Sequence, residues 1–393
     1  MRFIMNRSIA IALLCACLIL GSAVSVLAIK PINFGITATK TKVGYSWDKQ
    51  QTWSTGLHSL AVLGDDVFAV WVNQGKELCV SVNWNNNGFF ESKNTVMTGY
   101  EAGYGATIAA VNNSVSGNPE IHLAWYDNSS GTGKIYYSRS IDPPYSWQGP
   151  YEVQGTAPTG WGNSIAADNT GDVYIAFQGA SDGVYVVSSH DDGTTWGTPL
   201  QINTLSAGNA APSIATDANG TVHVAWLDNV SGTVYYSKST NNGQTWSSEI
   251  AINGTTPGNF VSLATTQNGS GMYVTWTRSG PGTVCAYSND GGTTWNANDP
   301  SNEPSVVNSS SGNADTSIAV SPATGEVNIA YTVGDQVYLA RSISNGAAWE
   351  QNITIDDEYR GNWHAYPNVA VGVDNKARIM WNDDVMIAYT KEQ

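Results

Sequence analysis

The chain has 393 residues and a formal net charge of −15, with 32 acidic side chains against 17 basic ones. An acidic surface this poor in lysine and arginine repels phosphate backbones and anionic lipids, which excludes nucleic-acid binding and electrostatic membrane attachment as primary functions. The 40 glycines, 15 tryptophans and 19 tyrosines, with no helical period of useful length, favour an all-β fold of short strands.

The first 28 residues have the pattern of a secretory signal peptide. Arg2 and Arg7 form a basic start, an apolar run follows, and residues 26–28 provide a small-residue cleavage site. Residues 8–28 are long enough to remain as a membrane anchor, which is the alternative. Cleavage removes both arginines and leaves residues 29–393 as one propeller domain with a net charge of −17. We predict a secreted or cell-surface monomer whose mature part does not insert into a membrane.

A short apolar strand recurs seven times at a spacing of about 50 residues, which is typical of propeller blades. Each copy is followed by a second and a third strand with alternating apolar residues. One four-stranded sheet cannot bury both of its faces alone, so the copies are expected to pack radially as blades. The first strands lie in segments 58–62, 106–109, 163–166, 212–215, 261–264, 316–319 and 367–370.

Most copies close with the turn Ser-x-Asp-x-Gly-x-Thr-Trp, which leads into a fourth, outer strand. The Ser and Asp side chains can bond nearby amides, the Gly can adopt a left-handed conformation, and the Trp ring packs between strands. Three copies carry the key positions as Ser189, Asp191, Gly193 and Trp196; Ser239, Asn241, Gly243 and Trp246; and Ser288, Asp290, Gly292 and Trp295.

These turns resemble the Asp boxes, or BNR repeats, of sialidase-type β-propellers. The resemblance covers essentially all of residues 29–393. It implies that the boxes are structural and lie on the face opposite the binding site. It does not extend to the sialidase catalytic residues, because the Phe-Arg-Ile-Pro motif is absent and the arginines of the mature chain are few. No catalytic residue is therefore carried over.

The two ends of the chain are complementary. Residues 46–53 form a box with no first or second strand before it, whereas the copy that starts at Asn368 has no box. Pairing of the N-terminal strand with the C-terminal blade would close the ring and remove its free edges. We predict seven four-stranded antiparallel blades, with six, the number in sialidases, as the alternative.

Polar residues that follow the second strands predict a rim on the face opposite the boxes. One loop before the last first strand combines charged and aromatic residues, a combination typical of sugar recognition, since CH faces stack on rings and hydroxyls bind polar groups. The alternatives are ordinary turn residues at the rim and a loop that only plugs the channel. The rim candidates are Asp127, Asp228, Arg278 and Asp383, and the loop candidates are Glu358, Tyr359, Arg360, Trp363, His364 and Tyr366.

The function predicted from these features is a non-catalytic extracellular module that binds a glycan or a cell-surface protein. The alternatives are an exo-acting glycoside hydrolase, sialidase-like or with paired carboxylates, and a structural component of the cell envelope. The histidines lack metal-ligand spacing, and His122 and His223 occupy matching second-strand positions suited to packing. No cofactor is predicted; an acidic loop leaves calcium as the one open case.

Overall fold

The structure is a computed structural model, and it describes seventeen segments of the chain. The predicted signal peptide and the N-terminal box at 46–53 lie outside these segments. Among the described residues, no helix is long and apolar enough to cross a membrane. The described segments are 41–43, 58–73, 77–86, 90–91, 94–97, 106–128, 133–153, 162–179, 183–204, 211–253, 258–278, 282–297, 303–310, 315–334, 336–356, 366–383 and 386–391.

The fold is an all-β propeller of four-stranded antiparallel blades. Six blades each consist of four strands that are consecutive in the chain. Blades 1 to 3 contain β2 (His58–Leu63), β3 (Asp66–Val72), β4 (Leu78–Asn83) and β5 (Asn94–Met97); β6 (Thr107–Asn112), β7 (Pro119–Asp127), β8 (Lys134–Asp142) and β9 (Ser146–Glu152); and β10 (Asn163–Ala167), β11 (Val173–Gln178), β12 (Val184–Ser189) and β13 (Leu200–Gln201). Blades 4 to 6 contain β14 (Ser213–Thr216), β15 (Val222–Asp228), β16 (Thr233–Ser239) and β17 (Ile250–Ala251); β18 (Gly258–Thr265), β19 (Met272–Arg278), β20 (Thr283–Ser288) and β21 (Ser305–Asn308); and β22 (Thr316–Val320), β23 (Val327–Val333), β24 (Gln336–Ser342) and β25 (Glu350–Asp356).

A further four-stranded sheet, called sheet 7 below, combines the two ends of the chain. Its last three strands are β26 (Asn368–Val371), β27 (Ala377–Asp383) and β28 (Met386–Lys391). The strand β1 (Thr41–Val43) pairs antiparallel with β28, with Lys42 opposite Ala388. In sheet 7 a strand from the N-terminal part of the chain thus takes the position that a fourth strand has in the six blades.

The first strands of neighbouring sheets contact each other in chain order, and β26 contacts β2. A polar side chain in each of several first strands accepts a hydrogen bond from a backbone amide of the adjacent one. Such bonds satisfy amides that have no ladder partner on the inner edge of a sheet. They join Ile214 N to Ser164 Oγ (3.3 Å), Leu263 N to Ser213 Oγ (3.0 Å), Ile318 N to Ser262 Oγ (3.3 Å), Val369 N to Ser317 Oγ (3.2 Å) and Leu60 N to Asn368 Oδ1 (3.1 Å).

Large aromatic residues near the ends of the second strands fill the space between blades. Burial of one such side chain contributes about 4–6 kcal/mol of apolar transfer free energy before conformational entropy is subtracted. The largest fully buried side chains include Trp71, Trp125, Trp226, Trp276 and Trp381.

The turns between third and fourth strands share one hydrogen-bonding pattern in blades 3, 4 and 5. In blade 5, Ser288 Oγ donates to Asp290 Oδ1 (2.8 Å) and accepts from Gly292 N (2.9 Å), while Asp290 Oδ1 accepts from Thr294 N (2.8 Å). Partial burial alone would raise the pKa of Asp290, but hydrogen bonds led by those from Thr294 lower that pKa to about 2.

Blade 4 makes the same turn with an amide in place of the carboxylate. Asn241 Oδ1 accepts from Ser239 Oγ and from Thr245 N, each at 2.9 Å. Gly243 adopts a left-handed φ of 78°. The turn therefore depends on an acceptor oxygen and a glycine rather than on a negative charge.

Candidate functional site

The box face, defined as the face that carries the turns between third and fourth strands, is tightly interlocked between blades. Tyr236 of blade 4 lies against Gly292 of the next blade, and its ring meets Trp295 edge-on with the centroids 4.8 Å apart. Tyr137 of blade 2 contacts Gly193 and Trp196 of blade 3 in the same way. A glycine is required in these turns both by the left-handed backbone and by the approach of the tyrosine.

Each of these tyrosines is held by a buried histidine. His122 Nδ1 lies 2.7 Å from Tyr137 Oη, and His223 Nδ1 lies 2.8 Å from Tyr236 Oη. Burial, assisted by the positive charge of Arg139, lowers the pKa of His122 to about 3. Burial also lowers the pKa of His223, although Asp217 opposes the shift. Both rings are buried, which fits the packing role predicted from their matching positions.

The rim face is the opposite face, where second strands end and first strands begin. Asp228 closes a turn there: its Oδ1 accepts from Val230 N (2.8 Å) and its Oδ2 from Ser231 Oγ (2.5 Å). Asp127 is buried at the equivalent end of β7. Partial burial of the Tyr126 phenol and the charge of Asp127 both raise the pKa of Tyr126. The geometry of Asp228 is what the turn interpretation predicts, because both carboxylate oxygens serve the local backbone and its neighbouring hydroxyl.

Arg278 ends β19 at the rim face. Its backbone N donates to Gly282 O (3.0 Å), while its buried Nε makes no hydrogen bond within the described residues. The arginines Arg139, Arg341 and Arg378 lie near the box face, where they bond Asp192 O (2.7 Å), Asn328 Oδ1 (3.2 Å) and Asp374 Oδ1 (2.7 Å). Among the described residues, Arg278 is thus the one arginine at the rim.

A carboxylate and a phenol lie just before the first strands of blade 6 and sheet 7. Asp315 is buried just before β22, and its backbone N donates a hydrogen bond to Thr332 Oγ1 (3.1 Å). Tyr366 is half-buried just before β26, with a left-handed φ of 42° directly before Pro367. Burial and the charge of Asp315 raise the pKa of Tyr366. A non-glycine residue in this conformation is strained, and such strain is concentrated at functional sites.

For the remaining candidate residues the structure describes no side chain. Asp383 is the last residue of β27, and its side chain lies outside the description. Glu358, Tyr359, Arg360, Trp363 and His364 lie outside the described residues. Asp315 was missed in the sequence; it is the acidic residue immediately before a first strand, a position that reaches the rim as directly as the loop candidates do.

No group of three or more metal-ligating side chains converges within the described segments. Cys79 and Cys285 are buried free thiols, and burial raises the pKa of the Cys285 thiol. A raised pKa leaves a thiol protonated and unreactive.

No protein-family profile matches the chain, and no curated protein matches it at a significant level. Solved structures do match. A PL25 ulvan lyase bound to an oligosaccharide has a TM-score of 0.57 at 11% identity, over 84% of this chain and 90% of its own. The lectin of Aleuria aurantia in complex with a fucosylated sugar has a TM-score of 0.50 at 11% identity, over 75% and 93%. A sialidase from Streptococcus pneumoniae has a TM-score of 0.45 at 10% identity, over 86% and 68%. At these identities the similarity shows a β-propeller fold and nothing further.

Proposed function

We propose that this chain is an exported carbohydrate-binding propeller whose ligand lies on the rim face and is not cleaved there. The observation that supports it best is Tyr366, which is held in a strained backbone conformation before an inner strand and whose pKa is raised by burial and by the charge of Asp315. Phenol and carboxylate groups on the same face as an arginine are suited to sugar hydroxyls, with aromatic rings to stack on CH faces. The carbohydrate ligands of the lyase and the lectin support the same class of ligand.

The charges at the rim argue against the hydrolase alternative of the sialidase type. That reaction needs an arginine cluster for the substrate carboxylate, and three of the described arginines stand near the box face. A tyrosine nucleophile also needs a phenolate, whereas the pKa of Tyr366 is raised. A protonated phenol is instead a hydrogen-bond donor, which is what a sugar hydroxyl can accept from.

We further infer that sheet 7 is a seventh blade and that β1 closes the ring on β28. The contact between β26 and β2 and the bond from Leu60 N to Asn368 Oδ1 support this closure. The turn geometry supports reading the repeated turns as Asp boxes. Export rests on the N-terminal pattern of residues 1–28.

The test is a glycan-array screen of residues 29–393, with a hydrolysis assay on sialyl and aryl glycosides in parallel. We expect binding without turnover, and binding weakened roughly fivefold by Tyr366→Phe, the value of about one hydrogen bond. Turnover that Asp315→Asn abolishes would make the protein an enzyme instead. Silence in both assays would favour the structural role in the cell envelope.

A further inference from the structure

The contact between blades 3 and 4 differs from its neighbours on the box face. In blades 2 and 4, the residue before the box serine is a long cation that reaches the next blade. Arg139 Nη1 donates to Asp192 O, and Lys238 Nζ donates to Gly291 O, each at 2.7 Å. Blade 3 has Ser188 at this position, opposite Tyr174 in the strand register. A short hydroxyl therefore replaces the bridging cation.

Ser188 takes part in a different polar chain. Its Oγ lies 3.3 Å from His190 Nε2, and His190 Nδ1 lies 2.9 Å from Asp172 Oδ1. The second carboxylate oxygen, Asp172 Oδ2, accepts from Tyr174 Oη at 3.0 Å. Tyr174 and Ser188 are register partners in β11 and β12. Asp172 and His190 lie two residues further along, just beyond the ends of these strands, which places all four side chains on the same side.

The directions of these hydrogen bonds follow from the chemistry of the groups. The Asp172 carboxylate only accepts, so the neutral His190 ring carries its proton on Nδ1. Nε2 is then an acceptor, and Ser188 Oγ–H is the donor that faces it. This is the order of proton donors and acceptors by which a serine hydroxyl is activated in hydrolases.

Ser188 is partly exposed, and so is the histidine beside it. The His190 side chain is 44% exposed, whereas the Asp172 side chain is 10% exposed. Two glycines flank Ser188: a Cβ placed on Gly197 would lie 3.9 Å from Ser188 Oγ, and one on Gly243 would lie 3.8 Å from Ser188 Cβ. A buried carboxylate thus positions a histidine that solvent reaches, beside a serine with no bulky neighbour at these two positions.

We propose that Ser188 is a nucleophile toward carboxylic esters, with His190 as its general base and Asp172 as a positioning residue. Ser188 Oγ bonds to the ester carbonyl carbon while the bond from that carbon to the alcohol oxygen breaks. The Ser188 proton passes to His190 Nε2 and then to the departing alcohol. Water, deprotonated by His190, cleaves the acyl-serine and restores the hydroxyl. This site is separate from the rim face and does not depend on the carbohydrate proposal.

The test uses a fluorophosphonate probe, which forms a serine–phosphorus bond as fluoride leaves, and 4-nitrophenyl acetate as an activated ester. We expect one adduct on the peptide that contains Ser188, and ester turnover that Ser188→Ala abolishes. His190→Gln should lower the maximal labelling rate about 100-fold, the typical contribution of a general base. Ser248→Ala, at an exposed serine, is the matched control and should label like the parent chain.

Asp172→Asn separates positioning from a structural role. It should lower the maximal labelling rate at least about tenfold by favouring the wrong ring tautomer, while the half-saturating probe concentration stays the same. Absence of an adduct on Ser188, or labelling that His190→Gln leaves unchanged, would overturn the proposal. His190 is exposed, so its variant decides the question even if the variants of Ser188 or Asp172 fold poorly.

Discussion

The two faces of this propeller differ in how regularly their residues recur from blade to blade. On the box face, repeated serines, acceptor side chains and glycines form turns that pack against the preceding blade, as in the contact of Tyr236 with Gly292. On the rim face the residues vary more: Asp228 closes a turn after one second strand, Arg278 ends another, and Tyr366 is strained before a first strand. Repeated residues therefore form the frame of the molecule, by which we mean the box-face turns and the contacts between first strands. Residues that depart from the repeat occupy the positions available for ligands.

The largest loss of unfolding free energy is expected at the close contact between Tyr236 and Gly292. A Cβ at Gly292 would collide with Tyr236 Oη, and the residue has a left-handed φ of 79°. Gly292→Ala should therefore cost about 3–4 kcal/mol of unfolding free energy, from overpacking and from the backbone together. Gly243→Ala is the matched control, because its Cβ would lie 3.4 Å from Tyr174 and only the backbone cost of about 1–2 kcal/mol remains. Equal losses in urea unfolding would contradict the account.

The buried histidines should make the frame sensitive to acid. Burial lowers the pKa of His122 from 6.5 to about 3 in the folded protein. Between these two pH values the unfolded chain therefore binds a proton at His122 and the folded chain does not. The contribution of neutral His122 to the free energy of unfolding is fully present above pH 6.5. It is lost as pH falls toward 3, by at most about 1.4 kcal/mol per pH unit. Urea titrations from pH 7 to pH 4 should show a shallower loss for His122→Gln than for the parent chain; parallel curves would refute this.

The hydroxyls between first strands should contribute less than the tyrosine contacts. Ser213→Ala removes the acceptor of Leu263 N and leaves that amide unpaired, at a cost of about 1–2 kcal/mol. Ser248→Ala, on the exposed part of the same blade, should change stability by less than about 0.5 kcal/mol. Thermal and urea unfolding of the two variants provide the comparison, and a loss no larger for Ser213→Ala would remove these bonds from the account.

The box carboxylates should make the free energy of unfolding depend on pH only in acid. Asp290 has a native pKa of about 2, so its contribution is present above the ordinary carboxyl pKa of 3.8 and is lost as pH falls toward 2. Asp290→Asn should change stability little at pH 7, since Asn241 already makes the same bonds in blade 4. The variant should lose less stability than the parent between pH 4 and pH 2. A large loss at pH 7 would show that the charge itself holds the turn.

The frame could be predicted from the sequence because its residues act locally. The Ser-x-Asp-x-Gly pattern specifies a turn by bonds that span four residues or fewer, and alternating strands specify a blade. The serines of the first strands were also visible as a recurring Ser-Ile-Ala, but their bonds span about 50 residues, so their purpose could not be predicted.

The arrangement of the rim residues and the hydrogen bonds of Ser188, His190 and Asp172 could not be predicted without the three-dimensional structure. Asp315 and Tyr366 are about 50 residues apart, and the charge of Asp315 acts on Tyr366 only because β22 and β26 lie side by side. Asp172 and His190 lie 2.9 Å apart only through the register of β11 and β12. Sequence spacing gave no sign of either pair, since neither has the periodicity that the repeat provides.

The most direct test of the division between the two faces is a matched pair of arginine variants in a glycan-binding titration. Arg278→Gln alters the rim and Arg341→Gln alters the region near the box face, each with the same loss of charge. We predict that Arg278→Gln weakens binding of the strongest array ligand by about tenfold or more, the value of a charged hydrogen bond. Arg341→Gln should leave the affinity within about twofold, because a substitution away from the ligand costs less than about 0.5 kcal/mol. The reverse result, with binding lost through Arg341 and kept without Arg278, would place the ligand on the box face and contradict the account.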